Sequence, residues 1–417
     1  MTFQMAGSLE TVVNFMDVLK QNFYEVAEQE IKTLQDFAEA NKFSHKLQMW
    51  DIPYYRRKHE TQTFKLNHDE ISEYFPLPKV LNSLFDLCTT LFGITFKQRF
   101  DVDTWHPDVS VYDVFEEGQY TGTFYLDPYN RGNKRVASTL TGRGKSDVVN
   151  IKPIVYLSTA VWPPYVKSEP ALMSFGDIYN LYWLFGALLT EMLPRVPYLE
   201  MAGYKNMEMD ASEIGHYFMT YWVKQPEILQ RMSSHYETGK CLPDDVTESL
   251  LASDRHMCAF DLMHECYLST YDLECHMGQL DWDDTMRNVW QVFMPVDMDV
   301  EDRSACAFHD IFSGRRAAAY YTGLWSRMAS RDMFEAFREG GLENVANLET
   351  VGRRFRETYF AHGAGIKASE VFRQFRGRDP SFKPFIDYYK EEIGINTNVL
   401  RDQKSQEHIS LNPTETK

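Results

Sequence analysis

The sequence predicts a mainly α-helical protein carrying one small β-hairpin or sheet. Three observations lead there. Apolar residues recur at helical spacing over the first 40 residues, and again almost without interruption from Phe175 to about Tyr389. Between these stretches the period drops to two around residues 109–126, as a half-buried strand requires. Hydrophobic residues make up 44% and aromatics 14% of 417 residues, enough to fill a large core.

In chain order, Leu9, Val12, Val13, Phe15, Met16, Val18, Leu19 and Phe23 form a broad apolar stripe, continued by Val26, Ile31, Leu34 and Phe37. Residues three and four apart share one face of a helix, so this stripe predicts a long one. Val80 to Phe92 predicts a second helix, with Gly93 as its C-cap. Val109, Val111, Asp113 and Phe115 then alternate with Ser110, Tyr112 and Val114. Glu116-Glu117-Gly118 reads as a turn, and Tyr120 to Leu126 as the returning strand of a hairpin. Ile154 to Leu157 can add a strand. Pro194 and Pro197 end the next helix after Leu193, because proline cannot continue the hydrogen-bond ladder. Asn398 to Lys417 is polar, holds Pro413, and is expected to be a tail or arm.

The bulk charge narrows the partners. The formal net charge is −17, with a pI near 5.2. A phosphate backbone or an anionic lipid surface is repelled by such a surface, so neither nucleic acid nor membrane is expected as the general partner. No run of about 18 apolar residues is present to span a bilayer. The six cysteines are sparse and form no C-x-x-C pair, which fits free thiols in a reducing compartment. Met1 to Asn22 carries Glu10 and Asp17 and is neither a signal peptide nor an Arg-rich transit peptide.

Several short segments, in order, resemble the M3 (thimet oligopeptidase-like) zinc peptidases. Trp50-Asp51-Ile52-Pro53-Tyr54-Tyr55 is similar to the family's WD-x-x-Y-Y, and Tyr74-Phe75-Pro76-Leu77 to its YFPL. Trp105-His106-Pro107-Asp108-Val109 and Gly122-Thr123-Phe124-Tyr125-Leu126-Asp127 are similar to its WHPDV and G-x-FYLD strands. Arg376-Gly377-Arg378-Asp379-Pro380 is similar to its F-x-GRDP segment. The wording is nearest to the oligopeptidase A and organellar oligopeptidase branch. The resemblance implies a helical M3 catalytic-type domain over residues 1–397, followed by the tail at 398–417. It also implies that most of the family's N-terminal helical part, one wall of a substrate channel, is missing.

In the family, a helical H-E-x-G-H holds zinc through two histidines, and its Glu activates the metal-bound water. The matching stretch is Leu181-Tyr182-Trp183-Leu184-Phe185-Gly186-Ala187-Leu188-Leu189. Trp183, Leu184 and Ala187 therefore stand where the first His, the Glu and the second His are expected. The position of the third ligand, a Glu on a following helix, falls at Glu213. A second family element, a glycine-rich loop with His and Tyr, corresponds to residues 308–325. There Asp310 stands for the His, Arg316 for a Tyr and Gly323 for another, and Arg315 replaces the second Gly. His309 lies one position away from the His. Tyr320 and Trp325 remain as residual substrate-binding residues. One carboxylate cannot hold Zn²⁺, so the resemblance implies that the family's zinc is lost.

Three other groups have plainer explanations beside the chemical one. His256, Cys258, His264, Cys266, Cys275 and His276 crowd within 21 residues but lack a tight ligand spacing, so a helix with core cysteines is expected over a metal site. Glu208, Asp210 and Glu213 could hold Ca²⁺ or Mg²⁺ through oxygens, or form a solvated helix start. Arg353, Arg354, Arg356, Arg373, Arg376 and Arg378 could meet an acidic partner, or pair with the chain's own carboxylates.

The expected function is that of a catalytically inactive M3-like protein serving as a structural or accessory subunit of a larger assembly. Other protein subunits are then its partners, and the organellar likeness places it in mitochondria, with cytosol or plastid as alternatives. Two other functions stay open. One is a non-cleaving module that binds peptides, which a filled cleft would rule out. The other is a zinc metallo-oligopeptidase with a rebuilt site.

Overall fold

The computed structural model describes residues 4–134, 137–166, 168–278, 281–314 and 316–394. The expected tail, and Arg315, lie outside them. Four helices come first: α1 (Leu9–Ala40), α2 (Ile52–Phe64), α3 (His68–Ser72) and α4 (Leu77–Phe92). Five strands follow: β1 (Ile94–Arg99), β2 (Ser110–Glu116), β3 (Gln119–Tyr129), β4 (Ser138–Arg143) and β5 (Ile154–Val161). The remainder is helical, as the periodicity predicts: α5 (Phe175–Met192), α6 (Ile214–Val223), α7 (Pro226–Met232), α8 (Asp244–Asp254), α9 (Cys258–Met277), α10 (Trp282–Phe293), α11 (His309–Phe312), α12 (Thr322–Glu339), α13 (Val345–Phe355), α14 (Ala368–Arg376) and α15 (Lys383–Ile393).

Of the predicted stripe on α1, Val12, Phe15, Met16, Leu19, Phe23 and Leu34 are buried and Val13 is exposed. The helix packs on α9, and Phe15 and Phe23 reach Phe382, Phe385 and Tyr389 near the C-terminal end. Ser8 caps this helix by accepting from Thr11 N. Gly93 ends α4 in the left-handed region, φ +66°, as expected of a C-cap glycine. The hairpin is β2–β3, and both turn residues, Glu117 and Gly118, have positive φ (49° and 78°), which matches the right-handed twist of the strands.

The sheet is larger than a hairpin. Its order is β1-β2-β3-β5-β4, with β3 and β5 parallel and the other pairs antiparallel. Strands β1 and β4 lie at the sheet edges and escape sequence detection. In β1 only Ile94 is fully buried and Phe96 stacks on Phe85, an apolar pair too short to set a period. In β4 the buried residue is Thr139, and Leu140 is exposed. The sheet packs against α5 through β5 and β4.

Candidate functional site

The site is organised by the crossing of α5 and α6. Ser174 and Asp177 start α5 with a capping box, each side chain bonding the other's backbone N–H. Gly186 then meets α6 so closely that a Cβ there would lie 2.2 Å from the carbonyl oxygen of Gly215. Two glycines thus let the helix backbones touch. This contact sets Trp183, Leu184 and Ala187, one turn around Gly186, beside Glu213 and His216. Tyr359 fixes the entry of α6. It lies in a π-helical turn at Arg356–Phe360, accepts from Gly215 N at 3.0 Å and donates to Ala211 O at 3.0 Å. On the other flank, Thr139 of β4 donates to Leu184 O at 2.8 Å.

A third segment closes the site. The chain before α12 runs through Arg316 with Ala318 at φ 54°, a left-handed conformation costly for alanine. Buried Asp272 of α9 holds it there, accepting from Ala318 N at 2.9 Å and Tyr320 N at 2.8 Å. The loop so pinned delivers the Arg316 guanidinium to Glu213, Nη2 to Oε1 at 2.6 Å. The Arg316 guanidinium also lies 6.0 Å from the Tyr320 ring centroid.

The result is an open cleft of about 460 Å³ whose walls include Thr139, Trp183, Leu184, Ala187, Tyr204, Lys205, Glu213, His216 and Arg316. Trp183, Leu184 and Ala187 thus line the cleft without filling it. The Trp183 ring packs against His216 at 4.5 Å between centroids, in an edge-on arrangement. Burial pushes the His216 imidazole down to about 3, so it is neutral. Burial raises the Glu213 carboxyl, and the Arg316 charge opposes that rise.

Glu213 is already paired with a cation, which repels a second one, and Trp183, Leu184 and Ala187 offer no ligand atom. Among the described residues no group of three or more His, Cys, Asp or Glu could hold a metal ion.

Six of the positions predicted from sequence meet at this cleft or border it: Trp183, Leu184, Ala187, Glu213, Arg316 and Tyr320. Gly323 is buried beside them, with its would-be Cβ 3.5 Å from Glu213 Oε2 and 3.6 Å from Arg316 Nη1. Asp310 and His309 are exposed on the short helix α11 and are not part of the cleft wall. Trp325 needs correction. It is buried in the core of α12, edge-on to Phe15 at 5.6 Å and to Phe382 at 5.9 Å, and no peptide can reach it. The reason is helical geometry: Trp325 points from α12 toward α1 and α15, away from the cleft.

His216, Thr139, Tyr204 and Lys205 were missed by sequence reasoning. For His216 a signal existed, since it follows Glu213 by three residues and so shares its helical face. Thr139 gave none, because the edge strand that carries it has no hydrophobic pattern.

The other groups resolve plainly. Glu208, Asp210 and Glu213 are not a solvated cluster. Glu208 accepts from Ala368 N at 2.6 Å, Asp210 from Met5 N and Ala6 N at 2.8 Å each, and Glu213 from Arg316. The cysteines are free; Cys266 is buried on α9, and His256 pairs instead with His59 across 2.8 Å. Four of the six arginines serve internal ion pairs: Arg356 with Glu116, Arg376 with Glu339 and Asp332, Arg378 with Asp332, and Arg373 with Asp379; Arg354 lies over the Phe375 ring. No helix among the described residues is long and apolar enough to cross a membrane.

The mainly helical body with its small mixed sheet is the fold of known metallopeptidases. The fold is similar to that of Trypanosoma cruzi metallocarboxypeptidase 1, with a TM-score of 0.54 at 11% identity over 93% of this chain and 67% of that one. It is similar too to PZ peptidase A, with a TM-score of 0.50 at 11% identity over 93% and 59%. Peptidase family M3 matches residues 1–391, and the chain belongs to that family. It is 31% identical to oligopeptidase A of Escherichia coli over 397 residues, 93% of this chain and 58% of that protein. It is also 31% identical to the chloroplastic/mitochondrial organellar oligopeptidase A of Arabidopsis thaliana, over 93% of this chain and 51% of that one. The chain thus spans between half and three-fifths of the length of these relatives.

Proposed function

We propose that this chain is a member of family M3 that holds peptides in its cleft without cutting them. One observation carries the proposal. The Glu213 carboxylate is bonded to Arg316, a resident cation in a cleft whose other walls supply one neutral imidazole and no further ligand. The names of the relatives point to peptidase activity, which in this architecture needs a metal-activated water. Among the described residues of this cleft, the ionisable groups are Glu213, already bonded to Arg316, Lys205, Arg316 and the neutral His216. The space itself remains, at about 460 Å³, large enough for a few residues of extended chain. Tyr320, beside Arg316, would flank a bound peptide.

The test is metal content and cleavage measured together. Purified from zinc-supplemented medium, the protein is expected to carry far less than one equivalent of zinc. It is expected to leave a quenched-fluorescent oligopeptide pool intact under conditions where E. coli oligopeptidase A hydrolyses it. One equivalent of zinc with chelator-sensitive cleavage would overturn the proposal and restore a metallo-oligopeptidase with a rebuilt site.

A second function, as an accessory subunit of a larger protein assembly, is favoured by a separate feature. A groove of about 340 Å³ between α1, α9 and α10 is lined by Val13, Met16, Leu273, Met277, Val289 and Val292, of which Val13, Met277 and Val292 are exposed. Exposed apolar surface of this kind is a common protein-docking feature. Native mass from the source organism, well above 48.8 kDa with stoichiometric companions, is the expected result for a subunit. The organellar relative makes mitochondria the compartment to inspect first, by fractionation.

A further inference from the structure

We infer that the cleft is specific for the C-terminal residue of a peptide, with the carboxylate received by Arg316 and Lys205 and the adjoining N–H by Glu213. The inference rests on the peptide-binding function proposed above and adds to it which part of the peptide is recognised.

Charge is the first ground. The whole chain carries −17, yet the ionisable groups lining this cleft are two cations, Lys205 and Arg316, against one carboxylate, Glu213, with His216 neutral. A locally positive cleft in an acidic chain attracts anions and repels cations. The Arg316 guanidinium offers five N–H donors in a planar fork. Among the described residues it spends one nitrogen, Nη2, on Glu213, which leaves the fork with donors for a second carboxylate. Lys205 is exposed at the rim.

The second ground is a pair of orphaned polar atoms. Glu213 Oε2 is buried and has no hydrogen-bond partner, although Oε1 is bonded to Arg316. His216 Nδ1 is also buried without a partner, on a side chain only 5% exposed. Buried polar atoms are normally satisfied, and an exception inside a cleft marks a place for a ligand atom. A ligand that answers the charge and the Glu213 orphan presents an anion and, next to it, a hydrogen-bond donor. The last residue of a peptide does so: its carboxylate pairs with the cations and its amide N–H donates to Glu213 Oε2. Nothing covalent occurs; the peptide enters and leaves unchanged.

The experiment uses the full chain and three N-terminally fluorescein-labelled, randomised hexapeptide pools, with binding read by anisotropy. One pool ends in a free acid, the second in an amide, and the third in an amide with one internal Glu. The free-acid pool is expected to bind at least tenfold more tightly than either amide pool. Arg316→Gln is expected to remove that preference, and Arg316→Lys to restore part of it. Lys205→Gln, an exposed change that should leave folding intact, is expected to reduce the preference severalfold. Equal binding of the acid and amide pools would overturn the C-terminal assignment while peptide binding stands. Acid-like binding of the internal-Glu pool would overturn it in favour of an acidic side chain. Failure of all three pools to bind would overturn peptide binding itself, and the inference with it.

Discussion

At the scale of single residues, the site turns on who balances Glu213. A half-buried carboxylate needs a counter-charge or must take up a proton. In a zinc peptidase a dication supplies it. Here Arg316 does, at 2.6 Å. Arg316→Ala should cost about 1–3 kcal/mol, the range for leaving a buried polar group unpaired. The pH dependence has a definite sign. Burial raises the Glu213 carboxyl in the folded state, and removing Arg316 raises it further. A raised folded pKa gives stability that is present below the unfolded value, near 4.3, and lost as pH rises through the folded value. The deficit of Arg316→Ala relative to the unaltered protein should therefore grow as pH rises above the ordinary carboxylate range, as urea titrations at each pH would show. A constant or shrinking deficit would mean that Arg316 does not balance Glu213.

At the scale of elements, the α5–α6 crossing is the part least tolerant of change. Gly186→Ala places a methyl into the Gly215 backbone, which cannot move as a side-chain end can. The helices must separate, at about 1–3 kcal/mol for overpacking. Because the cleft is built on that crossing, peptide affinity should fall in parallel with thermal stability. An unchanged melting temperature would contradict the described contact. Much of this element structure was legible in the sequence. The stripe on α1, the Gly93 cap, the Glu117-Gly118 turn and the end of α5 before Pro194 each follow from local chemistry that the chain carries with it. Strands β1 and β4 were not legible, because each places only one or two side chains against the core, too few to set a period.

At the scale of the whole molecule, the first and last helices are joined through one aromatic cluster. Phe15 of α1, Trp325 of α12 and Phe382 at the start of α15 meet ring to ring, with Phe15 and Phe382 at 4.7 Å. Trp325→Ala should cost about 3–5 kcal/mol, the range for large-to-small changes in a core. If Trp325 contacted ligand instead, the same change would lower peptide affinity with little effect on the unfolding midpoint. Measuring both separates the two roles.

The sequence by itself determined that the chain is a helical member of family M3, and it placed Trp183, Leu184 and Ala187 within one turn of a single helix. Those are properties of residue order and spacing along one segment. Only the tertiary structure decided what surrounds those side chains. Whether the cleft was filled or open depended on how closely Gly186 and Gly215 let two helices approach. The meeting of Arg316 with Glu213, 103 positions apart, depended on the hold of Asp272 over the intervening loop. Trp325 looked equivalent to Tyr320 in sequence, yet five residues of helix turned it from the cleft into the core, because side-chain direction on a helix is set by what packs around it.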